Sequence, residues 1–311
     1  MKFKKEYFTI LVIQITEVLG FSLILPYLPL YAQDYGASPF QVGLILTTFS
    51  LCQFISAPIL GKLSDHYGRK PLLLFSQFTT FLSFLVLGYA NALWMIFLSR
   101  IIDGLLGSNF TIAQAYLSDI SSKKDRSKAF GISGAAFGFG FLIGPAIGGY
   151  LTRFGYSLPA YISAGISLIT ILITLFFLEE TVKKKKDIKL NVKIFSLDDF
   201  NKFFSNPTIG PKLSVFFSYI LAHVIFVSQM ALYAKAKLGF TAQDIGFALA
   251  FVGLVSIVVR GFLLNKLIDA FSEKTLEYFA IFSIITGLII SSIITQKWMY
   301  GFVMIFFATG S

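Results

Sequence analysis

Gly61-Lys62-Leu63-Ser64-Asp65-His66-Tyr67-Gly68-Arg69-Lys70 separates two apolar runs, Val42 to Leu60 before it and Leu72 to Tyr89 after it. A helix needs about 20 apolar residues to cross the roughly 30 Å hydrocarbon layer, and both runs approach that length. The ten residues place a carboxylate at the end of one helix and a cationic pair at the start of the next. Gly68 sits in the turn between them, where it can take positive φ. Outward from this joint the same alternation continues. Apolar runs span Tyr7 to Tyr31, Leu93 to Leu117, Phe130 to Leu151, Leu158 to Leu178, Leu213 to Ala234, Ile245 to Leu264 and Tyr278 to Ile294, with an incomplete tenth from Trp298. The first run follows Lys2, Lys4 and Lys5 as a signal peptide would. It is too long for one, holds Pro26 and Pro29, and lacks a small-residue cleavage site, so it reads as a span.

Composition agrees. Of 311 residues 56% are hydrophobic and only 14% charged, against about 25% charged in a soluble domain, so the chain reads as an all-α integral membrane protein. A single cysteine, Cys52, excludes a disulfide framework and a thiolate metal cluster. Two histidines, His66 and His223, exclude a multi-histidine metal site. No cofactor is expected.

The net charge of +10 follows from topology. With the N-terminus in the cytoplasm, 20 Lys and Arg fall on the inner side and four on the outer: Arg153, Lys235, Lys237 and Lys297. Short cytoplasmic loops retain positive charge, so this orientation is the expected one, in a multi-pass protein of the cell membrane. Anionic lipid headgroups account for Lys183 to Lys186, and nucleic acid is not an expected partner. Arg100 and Arg260 remain within spans, and Arg260 is expected to snorkel to the cytoplasmic surface.

The chain also repeats itself. Leu30-Tyr31-Ala32 recurs as Leu232-Tyr233-Ala234, Gly36 and Gly43 as Gly239 and Gly246, Lys62-Leu63-x-Asp65 as Lys266-Leu267-x-Asp269, and Trp94-Met95 as Trp298-Met299, in order and at nearly constant offset. Two parallel copies of six spans are therefore expected. The domains read as 1–179, an N-terminal six-helix bundle; 180–211, a cytoplasmic linker; and 212–311, a C-terminal bundle holding spans 7 to 9 and part of 10. At this offset the second copy would run past Ser311, so it reads as truncated, without spans 11 and 12. In the linker, Leu197, Phe200, Phe203 and Phe204 fall near helical spacing, which fits either a short helix on the membrane surface or a disordered loop.

Three motifs carry mechanism. The decapeptide resembles the cytoplasmic signature of the major facilitator superfamily, G-x-L-S/A-D-R/K-x-G-R/K-R/K, at seven of eight specified positions; His66 departs, replacing a permanent cation with one that titrates near neutrality. The resemblance implies a conformational gate of Gly61, Asp65, Gly68, Arg69 and Lys70. In it Asp65 docks on a helix of the other half, expected to be span 11, and Arg69 pairs with an acid at the inner end of span 4, where Asp119 sits. Span 4 contains Arg100 and Asp103 at i, i+3 on one face, and Gly107, Thr111 and Gln114 continue it at helical spacing. Intramembrane charge normally faces a cavity. The run is similar to the superfamily's R-x-x-x-G motif, which is associated with proton transfer; an ion pair that pins span 4 to a neighbour is the alternative. Span 5 contains Gly140, Gly144, Pro145, Gly148 and Gly149, preceded by Gly134 and Gly138. Glycines at i, i+4 and i+8 admit a close helix and Pro145 removes a backbone hydrogen bond, giving a hinge. This looks like the G-x-x-x-G-P-x-x-G-G motif that marks exporters working by antiport; packing unrelated to direction is the alternative.

Gln14 and Glu17 share a face of span 1, with Glu17 near mid-membrane. Such a carboxyl can load and release a proton or meet a cationic substrate, or it can serve as a structural partner of Arg100 or a neighbouring helix. In span 7, Tyr219, His223 and Met230 share a face, His223 being either a packing residue or a ligand contact.

Together the motifs resemble the drug:proton antiporter and tetracycline-exporter branch of the superfamily. The resemblance implies a secondary transporter of the major facilitator fold that exports an amphipathic small molecule against protons. Tetracycline exporters carry aspartate where this chain has Glu17, so substrate identity does not transfer. Nutrient uptake, and an inactive truncated transporter or sensor, are the competing readings. An intramembrane enzyme would need a nucleophile beside a base, and no such pair emerges. A channel would need a ring of charges or a carbonyl filter, and neither is present.

Overall fold

The computed structural model describes residues 5–123, 125–182, 201, 204–207, 209–259 and 263–310. Lys2 and Lys4, Lys183 to Lys186, Leu197, Phe200, Phe203, Arg260 and Ser311 lie outside them. The described residues form helices and turns. Among the described residues, seven helical stretches are long and apolar enough to cross a membrane: Pro39–Tyr67, Arg69–Gly88, Leu93–Ile120, Ala129–Phe154, Ser157–Phe177, Gly210–Leu238 and Lys274–Ile293. Ala242–Val258 is a shorter apolar helix.

Packing divides the chain into two units, Met1–Leu190 with Thr241–Gly253, and Asn191–Phe240 with Leu254–Ser311. In the first unit, span 1 is not the single helix expected: α1 (Lys5–Ser22) stops, a turn carrying Pro26 intervenes, and α2 (Leu28–Asp34) resumes with Pro29 in its first turn. Proline removes a backbone hydrogen bond in a helix interior but suits a first turn. Helix α3 (Pro39–Tyr67) starts on a capping box, with Gln41 N donating to Ser38 Oγ at 3.3 Å and Ser38 N donating to Gln41 Oε1 at 2.8 Å. It runs through Lys62 to Tyr67, so most of the charged joint is helical. Gly68, at φ 109°, is the whole turn before α4 (Arg69–Gly88).

Span 4 is also broken. Helix α5 (Leu93–Leu106) ends at Gly107 and α6 (Asn109–Ile120) begins after Ser108. The expected single polar stripe therefore splits. Asp103 and Gly107 line the interior cavity described below, whereas Thr111 lies against Gly61 and Gln114 Nε2 donates to Ser133 Oγ at 2.9 Å. Helix α7 (Arg126–Leu151) passes through Pro145 unbroken, and α8 (Ser157–Phe177) completes the set.

Small residues bring these helices together. Ser22 Oγ donates to the Gly140 carbonyl at 3.0 Å, Ser163 Oγ to Gly20 at 2.7 Å and Ser56 Oγ to Gly104 at 2.8 Å. Such interhelical bonds stabilise membrane bundles by about 0.6 kcal/mol each. On α7, Gly140, Gly144 and Gly148 face α1: a Cβ on Gly140 would lie 2.7 Å from Val18 Cγ1, and at Gly144 and Gly148 it would overlap Ser22 Oγ and the Leu23 carbonyl oxygen. Gly149 turns the other way, where a Cβ would stand 2.7 Å from the Ala242 carbonyl oxygen and 3.0 Å from Gly246 Cα on α10 (Ala242–Val258). Gly134 and Gly138 meet nothing within 4 Å, so they do not extend the packed stripe. Phe8, Phe54, Phe78, Phe139 and Phe176 are exposed.

In the second unit, α9 (Gly210–Leu238) ends on Gly239 in the left-handed region, with Lys235 and Lys237 in its last turn. Cations there complement the helix dipole. The remaining helices are α11 (Leu264–Ala270), α12 (Glu273–Ile293) and α13 (Tyr300–Gly310). Ser283 Oγ of α12 donates to the Phe306 carbonyl of α13 at 2.9 Å, and Tyr219 Oη of α9 donates to Gly310 at the same distance.

A branched side chain at the α1–α7 contact should overpack it, at a cost of about 1–3 kcal/mol. Gly144→Val is expected to lower the thermal unfolding midpoint of the detergent-purified protein, whereas Gly138→Ala, in open space, is expected to leave it unchanged.

Candidate functional site

Helix α1, the break in span 4 and the polar face of α4 border a cavity of about 200 Å³. Its polar lining is Gln14 and Glu17 from α1, Gln53 from α3, Thr80 from α4, Asp103 from α5 and Asn109 from α6. Phe21, Phe49, Phe110 and Phe137 supply the apolar walls. The volume is below the roughly 300–1,000 Å³ of a drug-sized site.

A hydrogen-bonded string runs through the wall. Asn109 Nδ2 donates to Glu17 Oε2 at 2.7 Å and to Thr80 Oγ1 at 3.0 Å, and Thr80 Oγ1 donates to Asp103 Oδ1 at 2.8 Å. Asp103 Oδ2 lies 3.6 Å from Arg100 Nη1. Arg100 is 2% exposed. Its Nε donates to Ser99 Oγ at 3.3 Å, its Nη2 to Ser83 Oγ at 3.4 Å, and its guanidinium carbon stands 5.8 Å from the Phe49 ring centre. Glu17 is thus not a direct partner of Arg100; three hydrogen bonds and one ion pair connect them. Glu17 has no ion-pair partner among the described residues, and its Oε1 is buried without a hydrogen bond, as are both amide atoms of Gln14 and of Gln77. Gly107 is required by this geometry, since a Cβ there would reach 2.7 Å from Thr80 Oγ1 and crowd Asp103.

At the other end of the unit, the decapeptide closes on one arginine. Arg69, largely buried, donates from Nε to Asp119 Oδ2 at 2.8 Å and from Nη1 to Ser64 Oγ at 2.6 Å, and it also pairs with Asp65 one turn earlier. Lys70 Nζ donates to the Leu175 carbonyl of α8 at 2.8 Å. Glu180, just beyond α8, accepts from the backbone amides of Arg69 at 2.9 Å and Lys70 at 3.0 Å. A carboxylate there satisfies otherwise open amides and the positive end of the α4 dipole. Its approach is close: a Cβ on Gly68 would lie 2.9 Å from the Glu180 carboxyl carbon. Gly61 supplies the carbonyl to which Arg69 Nη1 donates at 3.4 Å.

His223, in the second unit, stacks on Phe307 with ring centres 4.6 Å apart. Gln14, Glu17, Arg100 and Asp103 are brought together, while Gln114 is turned to Ser133. Sequence reasoning missed Thr80, Asn109, Ser83 and Glu180. Ser76, Thr80 and Ser83 at i, i+4 and i+7 in an apolar helix are a legible polar stripe. Nothing local to Glu180 announces its partner, which is 110 residues away.

Loss of a helix cap costs about 1 kcal/mol, or about fivefold in local opening. Glu180→Ala is therefore expected to accelerate amide hydrogen exchange at Arg69 and Lys70 by about that factor, with Glu180→Gln intermediate, as mass spectrometry of peptic peptides would show.

The profile of the Major Facilitator Superfamily matches residues 10–311. The tetracycline resistance protein, class B, of Escherichia coli is 31% identical over 305 residues, covering 96% of this chain and 76% of that protein. Multidrug resistance protein 2 of Bacillus subtilis is 27% identical over 311 residues, covering 98% and 76%. Among solved structures, peptide transporter POT in complex with sulfate superposes with a TM-score of 0.76 at 12% identity over 100% of this chain and 80% of that one. The human organic anion transporter MFSD10 superposes with a TM-score of 0.67 at 18% identity over 98% and 84%. The chain, an all-helical multi-pass membrane protein, belongs to the Major Facilitator Superfamily of transporters.

Proposed function

We propose that this transporter exports an amphipathic small molecule in exchange for protons, by alternating access. The observation that carries the reading is Glu17: a carboxylate with no ion-pair partner among the described residues, on the wall of an intramembrane cavity, joined through Asn109 and Thr80 to Asp103 and Arg100. Uncompensated charge is costly in a membrane interior. Either a proton or a cationic part of a solute can neutralise it, but not both at once, and that competition is what couples two flows. The aromatic walls suit the apolar part of such a solute. Tetracycline and multidrug resistance names among the relatives support efflux rather than uptake.

In this scheme Gln14, Glu17, Arg100, Asp103, Gln114 and His223 serve proton and substrate. Gly61, Asp65, Gly68, Arg69, Lys70 and Asp119 form the cytoplasmic gate, and Gly140, Gly144, Pro145, Gly148 and Gly149 form the hinge. The protein sits in the cell membrane with its N-terminus in the cytoplasm and anionic lipid against its basic inner face. It is organised as bundles 1–179 and 212–311 joined by 180–211.

Everted membrane vesicles test the coupling. With a pH gradient imposed, accumulation is measured for a panel that includes tetracycline and amphipathic dyes. Glu17→Gln is expected to lose about 5- to 150-fold of the gradient-driven accumulation, the range spanned by coupling energies of about 1–3 kcal/mol, while substrate counterflow without a gradient continues. Accumulation indifferent both to the gradient and to Glu17→Gln rejects proton coupling.

A further inference from the structure

We infer that Asn109 and Thr80 form a hydrogen-bond polarity switch that reports the protonation of Glu17 to the Arg100–Asp103 pair. Both are thus positioning residues for the coupling proposed above, and the inference rests on that reading.

Asn109 Nδ2 donates to Glu17 Oε2 at 2.7 Å and to Thr80 Oγ1 at 3.0 Å, while Asn109 Oδ1 is buried with no hydrogen-bond partner. Thr80 has one hydroxyl hydrogen, which goes to Asp103 Oδ1 at 2.8 Å. An ionised carboxylate only accepts, whereas a protonated one has an O–H to donate. In the arrangement seen, Glu17 Oε2 is an acceptor, as it is in the ionised form. When a proton binds Oε2, the Asn109 amino group faces another donor. Rotation by half a turn about the soft terminal amide torsion relieves this, bringing Oδ1 round to accept from the Glu17 hydroxyl. The same oxygen then faces Thr80, whose hydroxyl turns to donate to it and leaves Asp103 Oδ1. Asp103 is left to Arg100 alone. One proton enters at Glu17 and none travels along the string; two hydrogen bonds reverse, those between Asn109 and Glu17 and between Asn109 and Thr80, and the third, from Thr80 to Asp103, breaks.

The surroundings leave this route clear. The ionisable groups facing Glu17 are Asp103 on α5 and, beyond it, Arg100. Gln14 on α1, Gln53 on α3 and Gln77 on α4 are neutral, and α7 presents Phe137. The break at Gly107 and Ser108 places Asn109 at the start of α6, and the absent side chain at Gly107 leaves room for the Thr80 to Asp103 bond.

Infrared difference titration of the full chain in lipid nanodiscs tests the switch, with bands assigned through Glu17→Gln and Asp103→Asn. In the unmodified protein the Asp103 carboxylate band is expected to shift as Glu17 titrates. Thr80→Val, which is isosteric, is expected to lose that response while Glu17 still titrates, and Thr80→Ser to restore it. Asn109→Leu interrupts the string independently and is expected to lose the response as well, which covers a Thr80→Val protein that does not fold. An Asp103 response of full size in either interrupted variant overturns the inference, and so does a Glu17 that keeps one protonation state over the whole range in which the protein is folded. A protein whose transport ignores the proton gradient, yet whose Asp103 band follows Glu17, would reject the proposed coupling and leave the switch standing.

Discussion

A guanidinium inside an apolar helix must be surrounded by acceptors that the protein itself supplies, because acyl chains supply none. Arg100 imposes that requirement on the first unit. Asp103 one turn along answers its charge, the hydroxyls of Ser83 and Ser99 take two of its hydrogens, and Phe49 offers a ring face. Ser83 and Thr80 can reach only if α4 packs closely on α5, and Phe49 only if α3 does. The close approach of α3 is carried by Gly104, where a Cβ would come within 2.6 Å of Cys52 Cβ. The ion pair thereby sets helix spacing, and helix spacing sets the cavity beside it.

The same economy of side chains holds α1 against α7. Glycines on α7 and α1 and serine hydroxyls on α1 and α8 let backbones touch: Ser22 donates to the Gly140 carbonyl, and Ser163 of α8 to the Gly20 carbonyl of α1. Lipid offers no hydrophobic drive between helices, so close packing and these bonds are what remain to hold the bundle. The contact also spans the turn where span 1 breaks: Gly148 lies against the Leu23 carbonyl, so the helix that carries Glu17 is fixed at the point where it stops being a helix. The opposite end of the unit is fixed differently, by charge. Arg69 gathers Asp65, Asp119 and Ser64, while Glu180 caps the helix that Arg69 opens, which ties the ends of α3, α4, α6 and α8 into one electrostatic knot.

Much of this was legible residue by residue. Apolar run length located the spans because membrane thickness leaves a helix little choice of length, and the decapeptide named the family because its charges and glycine each answer a local need: a helix end, a helix start and a positive φ. The pairing of Arg69 with Asp119 followed from that resemblance. The polar stripe on span 4 was drawn on an unbroken helix, and the break at Gly107 sends Thr111 and Gln114 elsewhere. Gly134 and Gly138 share the spacing of the packed glycines and face open space. In both cases periodicity described a surface without saying what lies opposite it.

The transmembrane architecture, the family and the identity of the buried charges are legible in the residues alone, since they follow from run length, hydropathy and local backbone demands. Tertiary structure alone decided which polar groups meet. Glu17 reaches Arg100 through Asn109 and Thr80, 92 and 63 positions along the chain from Glu17, and Glu180 finds the amides of Arg69 and Lys70. A hydrogen bond depends on atoms within about 3 Å, and only the packed helices fix distances of that order between residues so far apart in sequence.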